Sequence, residues 1–250
     1  MCLIKGGFLS IHAPTVVKRP FRLVSATRLL DRGGRGSEVA RVIEIAENEL
    51  PDWAGLVLAS ARPPVRGLLE STLRLDARLG RICLTASEPA LAQLRLAWWR
   101  DELSRERADT PPDPLLASLL EQWGQDRSAP IALIDGWEEL VGDLPPGGEA
   151  ADRFAAGREA VFAAIAEKAG CPAAAADASV HGRTWARADL AAFGLPGTWE
   201  DERLPSLPRR LRPLAMIGGL ARRAILRGGK PMFGDRMSPL VALRLGIFGT

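Results

Sequence analysis

From Pro51 onward, proline and glycine fall between apolar-periodic runs and rarely within them, and that arrangement most constrains the fold. Within the runs the apolar residues recur at three and four positions, as on one face of a helix. Strict alternation of apolar and polar residues, the mark of a half-buried strand, is absent, and the chain has no tyrosine. The expected class is all-α. The periodicity predicts helices over Trp53–Ala61, Val65–Thr85, Pro89–Leu103, Leu115–Trp123, Ile131–Val141 and Asp152–Ala169. Three more are expected over Ala173–Phe193, Ser206–Arg227 and Pro239–Leu245.

Upstream, residues 1–36 mix short apolar runs with proline and end in "DRGGRG", which reads as a weakly ordered extension. A helix capped by Ser37 would open the second region, so 37–250 is expected to form one helical domain. At 250 residues the chain is long enough to bury a substantial core.

Charge and cysteine content narrow the function classes. The formal net charge is +3, and only four of the 33 basic residues are lysine. Arginine suits carboxylate, phosphate and interface contacts. Acidic residues are interspersed along most of the chain, so no nucleic-acid-binding strip is expected, although Ala224–Leu240 is a basic stretch. Cys2, Cys83 and Cys171 form no CxxC pair and His12 and His181 are the only histidines, which leaves no ligand set for structural zinc. No apolar run reaches the about eighteen residues of a membrane span. The N-terminus lacks a long apolar region with a small-residue cleavage site, and a cytoplasmic location is expected.

"PALAQLRLAWWRDEL", Pro89 to Leu103, places Gln93, Arg95, two tryptophans and Arg100-Asp101-Glu102 among leucines. Apolar residues cover much of its circumference, so this helix is expected to be central, with Ser87 as its cap. Trp98 and Trp99 point about 100° apart on a helix and should anchor two different interfaces. Arg95 and Arg100 are expected to pair with carboxylates on neighbouring helices, such as Asp76 or Asp135. His181 reads as a loop residue rather than a general base.

"LDARLGRIC…SEPALAQLRLAWWRDEL" resembles the squalene/phytoene synthase superfamily, above all a divergent bacterial branch with the pattern "ePmlgqiRLaWWRdaL". Three later segments are collinear with it. "LIDGWEEL" (Leu133–Leu140) is similar to the family's "LIDG…DL" helix, and "FAAGREAVFAAIAEKAG" (Phe154–Gly170) to its small-residue helix. "GRTWARADL" (Gly182–Leu190) stands where the family has "G.ayQltNIlRD". The resemblance spans about Pro51 to Leu211 and implies a single isoprenoid-synthase-like bundle around a central cavity. It makes Asp76, Gln93, Arg95, Trp99, Asp135, Glu139 and Asp189 candidate cavity-lining residues.

In active members of that family, two aspartate-rich motifs on facing helices hold Mg²⁺ beneath the substrate diphosphates. Carboxylates at i and i+4 share a helix face and can jointly ligate this oxygen-seeking ion. Here the alignment puts Leu79-Gly80-Arg81-Ile82-Cys83 where the first motif should stand, and Phe193 and Gly197 on aspartate positions of the second. Shifting the register restores neither, since nothing acidic lies between Asp76 and Glu88 or between Asp189 and Glu200. Asp109–Asp113 has the spacing but is proline-blocked, and Asp135–Glu139 supplies a single pair. The leading expectation is a catalytically degenerate member with a binding or assembly role and no metal cofactor. Its partner would be a prenyl lipid or a membrane-associated protein complex, by analogy with the complex I assembly factor of the divergent branch, with a place at the inner membrane surface. The alternative is an active prenyltransferase using Asp76, Asp135, Glu139 and Asp189 as a scattered Mg²⁺ site.

Overall fold

A computed structural model describes residues 50–106, 111, 113–142, 144–195 and 203–248. The extension expected over 1–36, the helix expected from Ser37, and Asp109 lie outside the described residues. Among them the secondary structure is helical, without strands. In chain order the helices are α1 (Ala54–Ser60), α2 (Val65–Thr85), α3 (Pro89–Ser104), α4 (Pro114–Trp123), α5 (Ser128–Glu138), α6 (Gly148–Lys168), α7 (Ala175–Ala192), α8 (Arg212–Leu226) and α9 (Ser238–Phe248). Single 3₁₀ turns at Pro172–Ala174 and Arg209–Leu211 lead into α7 and α8.

Local chemistry explains the boundaries. Asp113 caps α4, its Oδ1 accepting from the amides of Leu115 (2.7 Å) and Leu116 (3.2 Å). Pro114, Pro130 and Pro213 each sit in a first turn, where a missing N–H costs no helical hydrogen bond. That tolerance lets α5 begin at Ser128 rather than at Ile131. The helix expected from Ser206 starts later, because Pro208 and Pro213 hold 206–211 to an extended stretch and a 3₁₀ turn. Ser87 is not the cap of α3; Glu88 takes that position with no side-chain bond to the helix.

The helices α5, α6, α7, α8 and α9 pack in sequence order, each against the next except that α9 returns to both α8 and α1. Helix α2 lies across α4, α5 and α6, and α3 packs on α5 and α2. Glycines let the central backbones approach closely. A Cβ on Gly157 of α6 would stand 2.6 Å from the carbonyl oxygen of Ala132 in α5, and one on Gly182 of α7 would stand 2.5 Å from that of Arg158.

Helix α3 is peripheral, contrary to its apolar circumference. Its inner face carries Ala92, Leu96, Trp99, Glu102 and Leu103. Leu91, Leu94 and Trp98 are exposed, with Leu94 at 68%. Apolar residues all round a helix therefore marked two faces here, only one of which meets the protein. Trp99 is the core anchor; Trp98 packs its ring edge-on against Trp99 at 5.1 Å and stays 40% exposed.

Gly157→Ala is expected to lose about 2 kcal/mol, because the methyl group must separate α5 from α6. Gly55→Ala, on the exposed side of α1 with open space around it, should gain about 0.5 kcal/mol from reduced unfolded-state entropy. Urea unfolding of the two variants reads both signs.

Candidate functional site

One arginine organises the interior. Arg158 lies midway along α6, where Phe154 and Phe162, four residues before and after it, share its buried face. Its side chain is wholly buried. A lone guanidinium there would be very costly, and its hydrogen-bond acceptors come from two other helices. From α2, Asp76 takes a two-pronged contact: Nε donates to Oδ1 at 3.1 Å and Nη2 to Oδ2 at 3.0 Å. From α7, Asp189 accepts from Nη2 at 2.7 Å. Nη1 donates to the backbone carbonyl of Trp185 at 3.3 Å.

Aromatic faces complete the enclosure. The guanidinium carbon is 3.8 Å from the ring centre of Trp185, 4.7 Å from Phe154 and 5.5 Å from Trp137. Such contacts favour a desolvated cation. Trp137, on α5, also donates its Nε1–H to Asp76 Oδ1 at 2.9 Å. Burial by itself would lower the Arg158 pKa, but the charges of Asp76 and Asp189 outweigh it and hold the guanidinium above its ordinary value. Burial pushes Asp76 up, against the pull of Arg158 and with the repulsion of Asp189. The cluster is an ion-pair core: one cation shared by two acids.

The remaining candidates sit elsewhere. Asp135, expected to turn inward, is exposed and accepts from Arg100 Nε (2.8 Å) and Nη2 (2.6 Å). The pairing expected for Arg100 is thus present, whereas the partner of Asp76 is Arg158. Glu139 is held by Arg153, whose Nε lies 2.6 Å from Oε1. Gln93 and Arg95 point outward from α3 as exposed residues. Trp99 is buried beneath the guanidinium of Arg78, 5.9 Å from its ring centre. The structure therefore brings together Asp76 and Asp189 and separates the other five. A groove of about 940 Å³ runs between α1, α8 and α9, and none of the seven candidates lines it.

A divalent ion needs carboxylate oxygens free to coordinate. Both oxygens of Asp76 are taken by Arg158, and Oδ1 also by Trp137. The ring of Trp137 stands 2.9 Å from where a Cβ on Gly80 would lie, so the helix position after Leu79 has no room for an acid. Among the described residues, no group of three or more His, Cys, Asp and Glu side chains is placed to hold a metal. Asp76 therefore has no oxygen free for a Mg²⁺ ion.

Sequence reasoning missed Arg158. The signal was available: "FAAGREAVF" carries one charge on a face that otherwise reads Phe154, Val161 and Phe162. His181 was also misplaced. It lies within α7 and is buried, Nε2 donating to the Pro205 carbonyl at 3.0 Å. Its Nδ1 edge is pressed against Gly218 of α8 and has no hydrogen-bond partner among the described residues. Burial lowers its pKa, against a smaller opposing effect of the Pro205 bond.

Arg158→Met should cost about 3–5 kcal/mol, since it strands buried carboxylate charge. Adding Asp76→Leu and Asp189→Asn to it should restore most of that loss; denaturant titration of the single and triple variants tests the coupling. For His181, the unfolded chain binds a proton that the folded protein excludes. Stability is therefore full above the unfolded pKa of about 6.5 and falls as the pH drops below it, by at most about 1.4 kcal/mol per pH unit. The urea midpoint of a His181→Gln variant should lack this part of the pH dependence.

Comparison of the chain with protein-family models, with curated proteins and with solved structures finds no match.

Proposed function

We propose that this chain is a squalene/phytoene-synthase-like helical protein that has exchanged a metal-diphosphate site for an internal ion pair and serves a binding or assembly role. The observation that carries the reading is the Arg158 guanidinium between Asp76 of α2 and Asp189 of α7. The motif resemblance pairs these two helices as the ones that would face each other across magnesium. A protein-borne cation stands between them instead. It pairs with both acids, offsets one of their two negative charges, and lies among the rings of Trp137, Phe154 and Trp185.

The physical consequence for chemistry supports this reading. Ionising a prenyl diphosphate requires stabilisation of the leaving diphosphate by metal ions and cationic side chains. Arg158 is wholly buried and its donors are already directed at protein acceptors. The pair Asp135 and Glu139, the other half of a scattered magnesium site, is neutralised by Arg100 and Arg153. A prenyl lipid or a membrane-associated protein complex is the partner class that the resemblance suggests.

The transferase reading draws on one observation, the convergence of Asp76 and Asp189 from separate helices. Incubation with farnesyl or geranylgeranyl diphosphate and Mg²⁺ separates the two. Release of inorganic diphosphate should stay at the level of the protein-free control, and release above that level that disappears in Asp76→Asn would establish the transferase instead.

A further inference from the structure

The face built by α1, α8 and α9 draws largely on a strongly basic part of the chain. Between Arg203 and Thr250 there are ten basic residues and a single acid, Asp235. Asp235 is clamped between Arg223 (2.9 Å) and Arg227 and holds the turn that starts α9, accepting from the amides of Met237 and Ser238. Its charge is spent. The interspersion of acids that argues against a basic patch elsewhere fails here.

Helix α9 is apolar on its inner side and, apart from the exposed Arg244, on its outer side as well. Its inner side, Ala242 and Leu245, is buried, and the Leu245 side chain lies against Gly219 of α8. Its outer side presents Leu240, Leu243 and Ile247, at i, i+3 and i+7, exposed by 58%, 60% and 50%. Leu56 of α1 extends the row across the groove. Around the groove stand Arg62, Arg209, Arg210 and Arg212, with no acidic side chain in its lining. Arg210 donates to the Ala169 carbonyl at 2.7 Å. The side chains of Arg62, Arg209 and Arg212 make no hydrogen bond or ion pair with any described residue.

We propose that this face docks the protein on an anionic lipid bilayer, with α9 lying in the interface. The two halves of the surface match the two layers of such a partner. Leucine and isoleucine side chains would leave water for the acyl boundary, and the arginines beside them would meet lipid phosphates. A basic surface on a polyanion such as nucleic acid would have no use for the exposed apolar row. A protein-sized acidic groove partner would have no need for α9 to be apolar on its far side. No helix among the described residues is long and apolar enough to cross a membrane, so the contact is with one leaflet. The proposal does not rest on the reading of the Arg158 core.

The test is co-sedimentation of the full chain with vesicles of phosphatidylcholine alone or mixed with phosphatidylglycerol. Binding is expected to the mixed vesicles only and to weaken with salt. Replacing one arginine of the pair Arg209 and Arg212 by serine should lower partitioning about five-fold, and replacing both should compound the loss. Leu243→Ser with Ile247→Ser should abolish binding, while Leu94→Ser on the exposed side of α3 should leave it unchanged. All these positions are at the surface, and unchanged circular-dichroism melting confirms that the variants fold. Failure to bind the mixed vesicles overturns the proposal, as does binding that survives the Leu243/Ile247 change. Self-association abolished by Leu243→Ser, without vesicle binding, would show that a second copy covers the face and would overturn it equally.

Discussion

The ion pair of Arg158 with Asp76 and Asp189 is the constraint around which the helical core is arranged. A wholly buried guanidinium offers five N–H donors in a rigid plane, and each donor needs an acceptor. The acceptors arrive from α2 and α7, with Trp137 of α5 holding Asp76 from its other side. Four helices are thus fixed in register by one side chain. Apolar packing tolerates sliding and repacking, whereas an unpaired buried charge does not, so this cluster specifies geometry more than it adds stability.

The same cluster joins carboxylates from two helices to one cation. Two carboxylates brought together from different helices form the beginnings of a metal site, and a bound cation is what such a pair requires. Here the cation is covalently part of the chain. Gly157 and Gly182 make this possible by drawing α5, α6 and α7 together until the guanidinium lies among aromatic faces. Close backbone approach, aromatic enclosure and charge pairing are one arrangement seen from three sides.

The polar middle of α3 has a different origin. Arg100 reaches Asp135 and Glu138 of α5, an exposed network that ties α3 to the core from outside. Gln93 and Arg95 face solvent. Arg95, Arg100 and Asp101 are thus the outer seam of a peripheral helix, whereas Glu102 is buried on its inner face. The apolar positions Leu91, Leu94 and Trp98 between them leave a second exposed apolar strip, distinct from the one on α9.

Residue order by itself determined the helical class and most of the helices, because a period of three to four and the placement of proline and glycine act locally. Helix α2 has the bounds that its periodicity predicts, Val65 to Thr85. Asp76 and Asp189 stood among seven candidates that the motif resemblance suggested, and nothing in the residue order separated them from the other five. Which faces are buried was decided only by tertiary structure, and for a physical reason: an apolar stripe states that a side chain gains by leaving water, without naming the neighbour that will cover it. Helix α3 was therefore read as central, and Trp98 and Trp99 as equals. The partner of Asp76 is 82 residues away along the chain. That pairing exists only once α2, α6 and α7 have been brought together, and no spacing within any one helix encodes it.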